Sequence, residues 1–193
     1  MPPMNAQSLQ LHLKERLAQH RPRRINQPDL KEAAVLIAIT AEDQPRLVLT
    51  QRSESVSTHR DEVAFPGGKR DPEDSSIVHT ALREAEEEIG LQAHQVQVIG
   101  ELDQVVSRFG FLITPVLAVI PAELEHVANL AELDTIFEVP LEFFGRPPEE
   151  FFEKERFRIP TYDYEGFRIW GITAMIIAEM LNNIWECEIP VQI

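Results

Sequence analysis

FPGGKRDPEDSSIVHTALREAEEEIGL, residues 65–91, carries more information about fold and function than the rest of the chain. It reads as a glycine-rich turn, a polar loop and a helix over about residues 76–89. The helix closes at Gly90, because glycine is favoured just past a helix end. The apolar residues of this helix recur at spacings of three and four, which gives it one face that can dock on a core. That face comprises Val78, Ala81, Leu82, Ala85 and Ile89.

Three carboxylates of the same helix form a neighbouring acidic side. Glu84, Glu87 and Glu88 stand at i, i+3 and i+4, so they fan within about 60° of Glu84. Alone they are unfavourable near a helix C-terminus, because like charges repel and the helix dipole prefers cations there. A hard divalent cation such as Mg²⁺ would reverse that balance, since it takes oxygen ligands and binds alongside substrate phosphates. Acidic runs are also common on solvated helix faces, so the run alone does not establish a metal site.

The whole stretch resembles the Nudix box, whose pattern is Gly-x5-Glu-x7-Arg-Glu-U-x-Glu-Glu-x-Gly-U, with U apolar. The matching residues are Gly68, Arg83, Glu84, Ala85, Glu87, Glu88, Gly90 and Leu91. The span from Gly68 to Arg83 is one residue longer than the pattern, and Asp74 or Glu73 must serve for the first Glu. The resemblance implies a Nudix hydrolase that binds Mg²⁺ or Mn²⁺ through the three glutamates of the helix.

The residues before the box resemble those of one particular group of Nudix hydrolases. LVLTQRSESVSTHRDEVAFPGG, residues 47–68, resembles the signature of coenzyme A pyrophosphatases, roughly LLT-x-R-S-x3-R-x3-G-x3-FPGG. The matches are Leu49, Thr50, Arg52, Ser53, Phe65, Pro66, Gly67 and Gly68. Ser57 stands where that group usually has Arg, and Asp61 where it has Gly. Residues 167–177, FRIWGITAMII, resemble the C-terminal strand and helix opening of the same group.

This resemblance implies hydrolysis of the diphosphate bond of coenzyme A or acyl-coenzyme A. The products would be 4′-phosphopantetheine, or its acyl form, and adenosine 3′,5′-bisphosphate. The departures at Ser57 and Asp61 leave room for the same chemistry on another nucleoside diphosphate derivative, such as ADP-ribose or NADH. A non-catalytic Nudix-fold binding module ranks last, because the chain keeps all three box carboxylates.

The implied roles follow from the cluster. Metal ions would neutralise the diphosphate and lower the pKa of a bound water. Arg83 is expected to pin neighbouring glutamates in ligand geometry rather than contact the substrate. The general base is open between Glu87 or Glu88, acting through the metal, and Glu132. That last residue lies where the coenzyme A group tends to carry an acidic residue.

Glycines and basic residues are the predicted substrate contacts. They are Gly67, Gly68, Lys69, Arg52 and Arg60. The two glycines are expected to let the backbone turn tightly beside the site. The two arginines are ranked first for the 3′-phosphate of coenzyme A, because a planar guanidinium suits phosphate and both lie inside the signature. The basic run HRPRR, residues 20–24, ranks second.

The pattern of elements predicts a helix and basic linker over residues 1–28 and one Nudix domain over residues 29–193. Strands are predicted over about 33–40, 46–52, 63–65, 96–106, 111–120, 135–140, 156–162 and 167–170. Further helices are predicted over about 8–19, 141–144 and 171–182. Mixed strands with helices on each side indicate an α/β/α sandwich with a mixed sheet, which is also the Nudix fold that the resemblance implies.

Composition sets outer limits on function. The net charge of −14 argues against broad nucleic-acid binding, so the expected partner is a small anionic molecule. The single cysteine, Cys187, excludes an internal disulfide and a cysteine-based zinc site. The longest apolar runs are too short to span a bilayer, and the polar N-terminus lacks a secretory signal. A cytoplasmic enzyme is therefore expected, with a homodimer as the default for its oligomeric state.

Overall fold

Strand β1 (Lys31–Thr40) lies at the centre of a mixed sheet in the computed structural model, which describes residues 5–53, 62–154 and 157–192. It pairs in parallel with β7 (Phe111–Ile120) along its whole length. Both strands are nearly continuous apolar runs, as expected for strands covered on both faces. Alternate side chains of β1 enter different cores: Leu36 lies in the core under the box helix, and Ile37 lies in the core on the opposite face.

A short segment separates β1 from β2 (Arg46–Arg52). The two strands pair at Ile39 and Leu47. Nearer the site, β3 (Val63–Ala64) pairs with β2, and β4 (Gly67–Lys69) pairs with β1. Two further backbone hydrogen bonds hold residues 62–69 against the two strands. Leu36 N of β1 donates to Pro66 O (2.8 Å), and Arg52 N of β2 donates to Glu62 O (3.1 Å). Residues 62–69 therefore form a wedge between the two strands.

The other strands extend this arrangement. On the far edge of β2 lies β8 (Leu133–Pro140), while β5 (Gln97–Glu101) and β6 (Val105–Val106) pair with β7. A separate antiparallel sheet contains β9 (Glu150–Lys154), β10 (Phe157–Tyr164) and β11 (Phe167–Ile169). Short 3₁₀ helices cover Ala93–Gln95 and Leu141–Gly145.

Helix α2 (Ile77–Ile89) is the box helix, and its local sequence accounts for both of its ends. Ser76 Oγ accepts a hydrogen bond from His79 N (3.1 Å), which caps the start. At the end, Gly90 takes the left-handed conformation with φ +71°. Ala81, Ala85 and Ile89 are fully buried against the sheet, so the predicted apolar face is the packed one.

Helices α1 (Ala6–Gln19) and α3 (Gly171–Trp185) cover the opposite face of the sheet. Leu9 and Leu13 of α1 are fully buried in the same core as α3. The predicted α/β/α sandwich is therefore confirmed. Within the described ranges, no helix is both long and apolar enough to cross a membrane.

The strand predicted over residues 96–106 is two strands in the structure, β5 and β6. Two further strands differ from the sequence prediction. Gly67 and Gly68 were expected to form a turn, but they belong to β4, and neither has a positive φ. The prediction also omitted β9. Both strands are short, and β4 contains two glycines, so it lacks the alternating side chains by which a strand is recognised.

Candidate active site

Four segments meet at the C-terminal half of α2. The helix supplies Glu84, Glu87 and Glu88, and β4 supplies the backbone of Gly67 and Gly68. The end of β2 contributes Arg52, and the turn before β8 contributes Glu132. Because β4 is paired to β1 while α2 packs over β1, the glycines are held directly under the helix.

Glu88 is the most buried acid of this cluster, with 3% of its surface exposed. Gly67 N donates to Glu88 Oε2 (3.0 Å), and Arg52 Nη1 lies 3.9 Å from Glu88 Oε1. Burial raises the pKa of Glu88 to about 7. The Gly67 amide and the Arg52 charge act in the opposite direction, and the charges of Glu84 and Glu132 raise the pKa further. The Arg52 charge and the Gly67 amide therefore do not fully offset the cost of burying this carboxylate.

Glu84 lies beside Gly68 at very short range. A Cβ at position 68 would fall 2.4–2.5 Å from the Glu84 carboxylate, so only glycine leaves room for it. A Cβ at Gly67 would similarly meet Ala34 O at 2.4 Å. Both glycines are thus required for close approach, rather than for the tight turn that was expected. Burial raises the pKa of Glu84; Arg83 lowers it, and the charges of Glu87 and Glu132 raise it.

Arg83 is a bracing residue at the edge of the cluster. Its Nε and Nη2 donate to the two carboxylate oxygens of Asp74, each at 3.0 Å. Its Nη2 also donates to Lys69 O (3.0 Å), and its Nη1 lies 3.0 Å from Glu84 Oε1 and 3.1 Å from Glu87 Oε2. One guanidinium therefore joins the loop before the helix to two of the helix carboxylates.

Asp74 takes the place of the first acidic residue of the box, since Glu73 is exposed. Asp74 is buried and accepts hydrogen bonds from Thr80 Oγ1 (2.9 Å) and Asp71 N (2.9 Å) in addition to those from Arg83. The hydrogen bonds from Arg83 hold the pKa of this carboxyl well below its usual range. The extra residue of the box spacing lies between Asp74 and Arg83, and these two side chains still form an ion pair.

The carboxylates do not form a ready-made metal cage. Across the described ranges, no three His, Cys, Asp or Glu side chains are gathered closely enough to hold an ion. Glu87 is exposed and pairs with Arg83. The donor set nevertheless fits a hard cation, because Glu84 is partly buried and Glu88 is buried. Burial raises the pKa of both carboxyls, and the charges of neighbouring glutamates raise them further. The last turn of the helix itself contains no basic residue.

Arg52 and Lys69 are placed differently from one another. Arg52 faces Glu88, and its buried Nε has no hydrogen-bond partner among the described residues. The Lys69 ammonium lies over the Phe111 ring, 5.5 Å from its centroid. Lys69 is opposite Ala33 in the sheet, one residue out of phase with Gly68, so its side chain leaves the cluster and only its carbonyl takes part.

Arg60 and the basic run of residues 20–24 were the other predicted phosphate contacts. Arg60, like Ser57 and Asp61, lies outside the described residues. Arg23 pairs with Glu179 of α3 (3.0 Å), and Arg24 pairs with Glu101 (2.7 Å). Those two arginines of the basic run are therefore engaged in holding the linker to the domain.

Glu132 is half-buried and held from several sides. Its N–H donates to Asn129 O (2.9 Å), and its C=O accepts from Ser53 N (2.9 Å). Asn129 Nδ2 donates to Glu132 Oε1 (3.2 Å). Sequence reasoning missed Asn129. The only available signal was the Asn-x-x-Glu spacing, which is typical of a side chain that caps a turn.

Comparisons with known proteins agree with this geometry. The family described as NUDIX domain matches residues 30–161. An uncharacterized Nudix hydrolase NudL from Photorhabdus laumondii is 41% identical over 159 residues, covering 80% of this chain and 85% of that protein. A protein of the same name from Escherichia coli O7:K1 is 42% identical, covering 80% and 83%.

A solved structure supports the fold. The MutT/nudix family protein from Enterococcus faecalis superposes with a TM-score of 0.53 at 16% identity, covering 88% of this chain and 67% of that one. The NUDIX domain match over residues 30–161 and the relatives at 41–42% identity show that the chain belongs to the Nudix family and is a Nudix pyrophosphohydrolase.

Proposed function

We propose that this chain hydrolyses the diphosphate bond of coenzyme A or acyl-coenzyme A to 4′-phosphopantetheine, or its acyl form, and adenosine 3′,5′-bisphosphate. The observation that carries the proposal is Arg52, a residue of the coenzyme A signature. It lies 3.9 Å from Glu88 and keeps a buried Nε without a partner among the described residues. Leaving such a donor unpaired is costly, and a substrate phosphate oxygen would satisfy it.

Each member of the cluster has a role under this proposal. Glu84 and Glu88, with Glu87, would hold Mg²⁺ or Mn²⁺, since carboxylate oxygens suit these cations. When bound, the cation supplies neutralisation of the diphosphate oxygens and lowers the pKa of water at the site. Arg83 would act as a positioning residue, because its guanidinium is engaged by Asp74, Glu84 and Glu87.

Glu132 is the proposed general base. It takes a proton from the attacking water, whose oxygen forms a bond to one phosphorus of the diphosphate while the bridging P–O bond breaks. The bridging oxygen leaves with the other phosphate. Support comes from the influence of the Glu132 charge on the pKa values of both Glu84 and Glu88. The two other candidates, Glu87 and Glu88, are assigned to the metal under this proposal, and Glu87 is also paired with Arg83.

A substrate panel tests the proposal. With Mg²⁺ or Mn²⁺ present, kcat/KM should be higher for coenzyme A than for ADP-ribose or NADH, measured by the release of phosphorylated products. A clear preference for ADP-ribose or NADH would exclude the coenzyme A assignment and leave the hydrolase assignment intact.

Arg52→Ala adds a second arm to this assay. Because Arg52 lies beside Glu88, its proposed contact is the diphosphate, and the variant should lose kcat/KM equally on coenzyme A and 3′-dephospho-coenzyme A. The loss should be about tenfold or more, as for a hydrogen bond to a charged group. A loss confined to coenzyme A would assign Arg52 to the 3′-phosphate instead, as the sequence suggested. Under the equal-loss outcome, Arg60 stays the predicted contact for that phosphate.

The cytoplasmic location and the homodimer stay predictions from the sequence.

A further inference from the structure

Asn129 joins the turn that carries Glu132 to the end of the box helix. Its backbone N–H donates to Glu88 O (2.9 Å), and its C=O accepts from the N–H groups of Glu132 and Leu133, both at 2.9 Å. The preceding turn is anchored to the same helix end, since Val127 N donates to Ile89 O (3.0 Å). The turn and the last residues of the helix therefore form one hydrogen-bonded unit.

The side chain of Asn129 has a single orientation that satisfies its neighbours. The Ala131 N–H can only donate, and it lies 3.2 Å from Asn129 Oδ1, so this atom must be the carbonyl oxygen. The amide nitrogen then faces Glu132 Oε1 at 3.2 Å. Asn129 consequently presents an N–H to the Glu132 carboxylate and leaves the second carboxylate oxygen free of this contact.

Among the residues that the structure describes, the Asn129 amide is the hydrogen-bond donor that contacts the Glu132 carboxylate. The Glu132 backbone is bonded on both sides, by Asn129 O and by Ser53 N, but those bonds leave the side chain free to rotate. A general base must sit within hydrogen-bond reach of the proton that it takes, and small displacements reduce catalysis strongly.

We propose that Asn129 is a positioning residue for the reaction, which holds one oxygen of the Glu132 carboxylate so that the other faces the water. This inference rests on the proposed role of Glu132 as the base. It adds a residue that neither the Nudix box nor the coenzyme A signature contains.

A double-mutant cycle with Asn129→Ala and Glu132→Gln tests the inference on the full-length protein with Mg²⁺ and coenzyme A. Glu132→Gln should lower kcat about a hundredfold, as expected for loss of a general base. Asn129→Ala should lower kcat about tenfold and leave KM nearly unchanged. In the Glu132→Gln background, Asn129→Ala should change kcat by less than about twofold, because there is no base left to position.

Asn129→Asp serves as a second variant that preserves the turn. It keeps the acceptor for the Ala131 N–H but replaces the donor that faces Glu132 with a carboxylate oxygen, so kcat should fall at least as far as in Asn129→Ala. Asn26→Asp, on the exposed linker, adds the same charge away from the site and should leave kcat unchanged. Thermal unfolding of each variant separates loss of fold from loss of positioning.

The outcomes distinguish the two ideas. If Glu132→Gln keeps full kcat, the base assignment fails and the role of Asn129 fails with it. If Glu132→Gln is impaired while Asn129→Ala and Asn129→Asp are normal, only the positioning role is overturned. Equal losses from Asn129→Ala in both backgrounds would show that Asn129 acts on the fold and not through Glu132.

Discussion

Burial of the Glu88 side chain opposes ionisation of its carboxyl group. Glu88 is 3% exposed, and its pKa is raised from 4.5 to about 7, mainly by burial. The folded protein therefore binds this proton more tightly than the unfolded chain does. The stability associated with the group is present below about pH 4.5 and is lost as the pH rises through about 7. A bound cation would offset the cost of the buried charge on Glu88 and so stabilise the folded protein.

The first prediction concerns this residue in metal-free protein. At pH 8 with a chelator, Glu88→Gln should be more stable than the parent, by up to about 3 kcal/mol from the linkage between pKa and folding. At pH 4.5 the two proteins should differ much less. Glutamine still accepts the Gly67 N–H, so the fold keeps that hydrogen bond. Urea unfolding at the two pH values measures the difference.

Glu86→Gln is the matched control for this experiment. It removes the same charge from the same helix at an exposed position, so it should shift stability by less than about 0.5 kcal/mol. If Glu88→Gln and the parent lose stability in parallel between pH 4.5 and 8, the buried charge of Glu88 is not the cause.

At the scale of elements, the contact between α2 and β4 sets the geometry of the site. Gly68→Ala would bring a methyl group to 2.4–2.5 Å from the Glu84 carboxylate. Because the clash is with the end of a side chain, the acid can move aside, so activity should suffer more than folding. We expect kcat to fall about a hundredfold, as for a misplaced ligand group.

Gly145→Ala is the corresponding control, since a Cβ there meets open space and the residue has no positive φ. Steady-state kinetics measures kcat for both variants, and thermal unfolding measures their stability. A Gly68→Ala protein with normal kcat would mean that Glu84 need not stay where it lies.

The elements that the sequence predicts best are those with strong periodicity. The box helix was expected over residues 76–89 with its apolar face toward a core, and α2 spans Ile77–Ile89 with that face buried. By contrast, β4 could not be predicted from the sequence, because its two glycines give it no hydrophobic pattern. The Asn129 turn was missed for a related reason. Its hydrogen bond to the helix joins Glu88 and Asn129, about 40 positions apart, and the local Asn-x-x-Glu spacing does not reveal that contact.

The functional residues on the helix could be predicted from spacing, whereas those on β4 and in the loop before the helix could not. The helix spacing alone indicated that Glu84 and Glu88 share one side, and the structure has both at the cluster. The orientation of Lys69 depends on strand register, which the sequence does not reveal when the strand itself is not recognised. Asp74 was one of two options until its burial and its pair with Arg83 distinguished it from Glu73.

At the scale of the whole molecule, α1 is part of the core. Leu13 is fully buried, whereas Leu11, on the same helix, is 59% exposed. Leu13→Ala should lower the free energy of unfolding by about 2–5 kcal/mol, as is typical for truncation of a buried leucine. Leu11→Ala should change it by less than about 0.5 kcal/mol. Urea unfolding measures both; equal, small effects would mean that α1 is not folded together with the domain.

The wedge of residues 62–69 connects the two sides of the candidate site along one stretch of backbone. At one end Arg52 N is bonded to Glu62 O, and the next residue, Ser53, donates its N–H to Glu132 O. At the other end the Gly67 N–H holds the Glu88 carboxylate. A shift of the wedge would therefore reach both Glu88 and the turn of Glu132, so the two sides of the site are mechanically coupled.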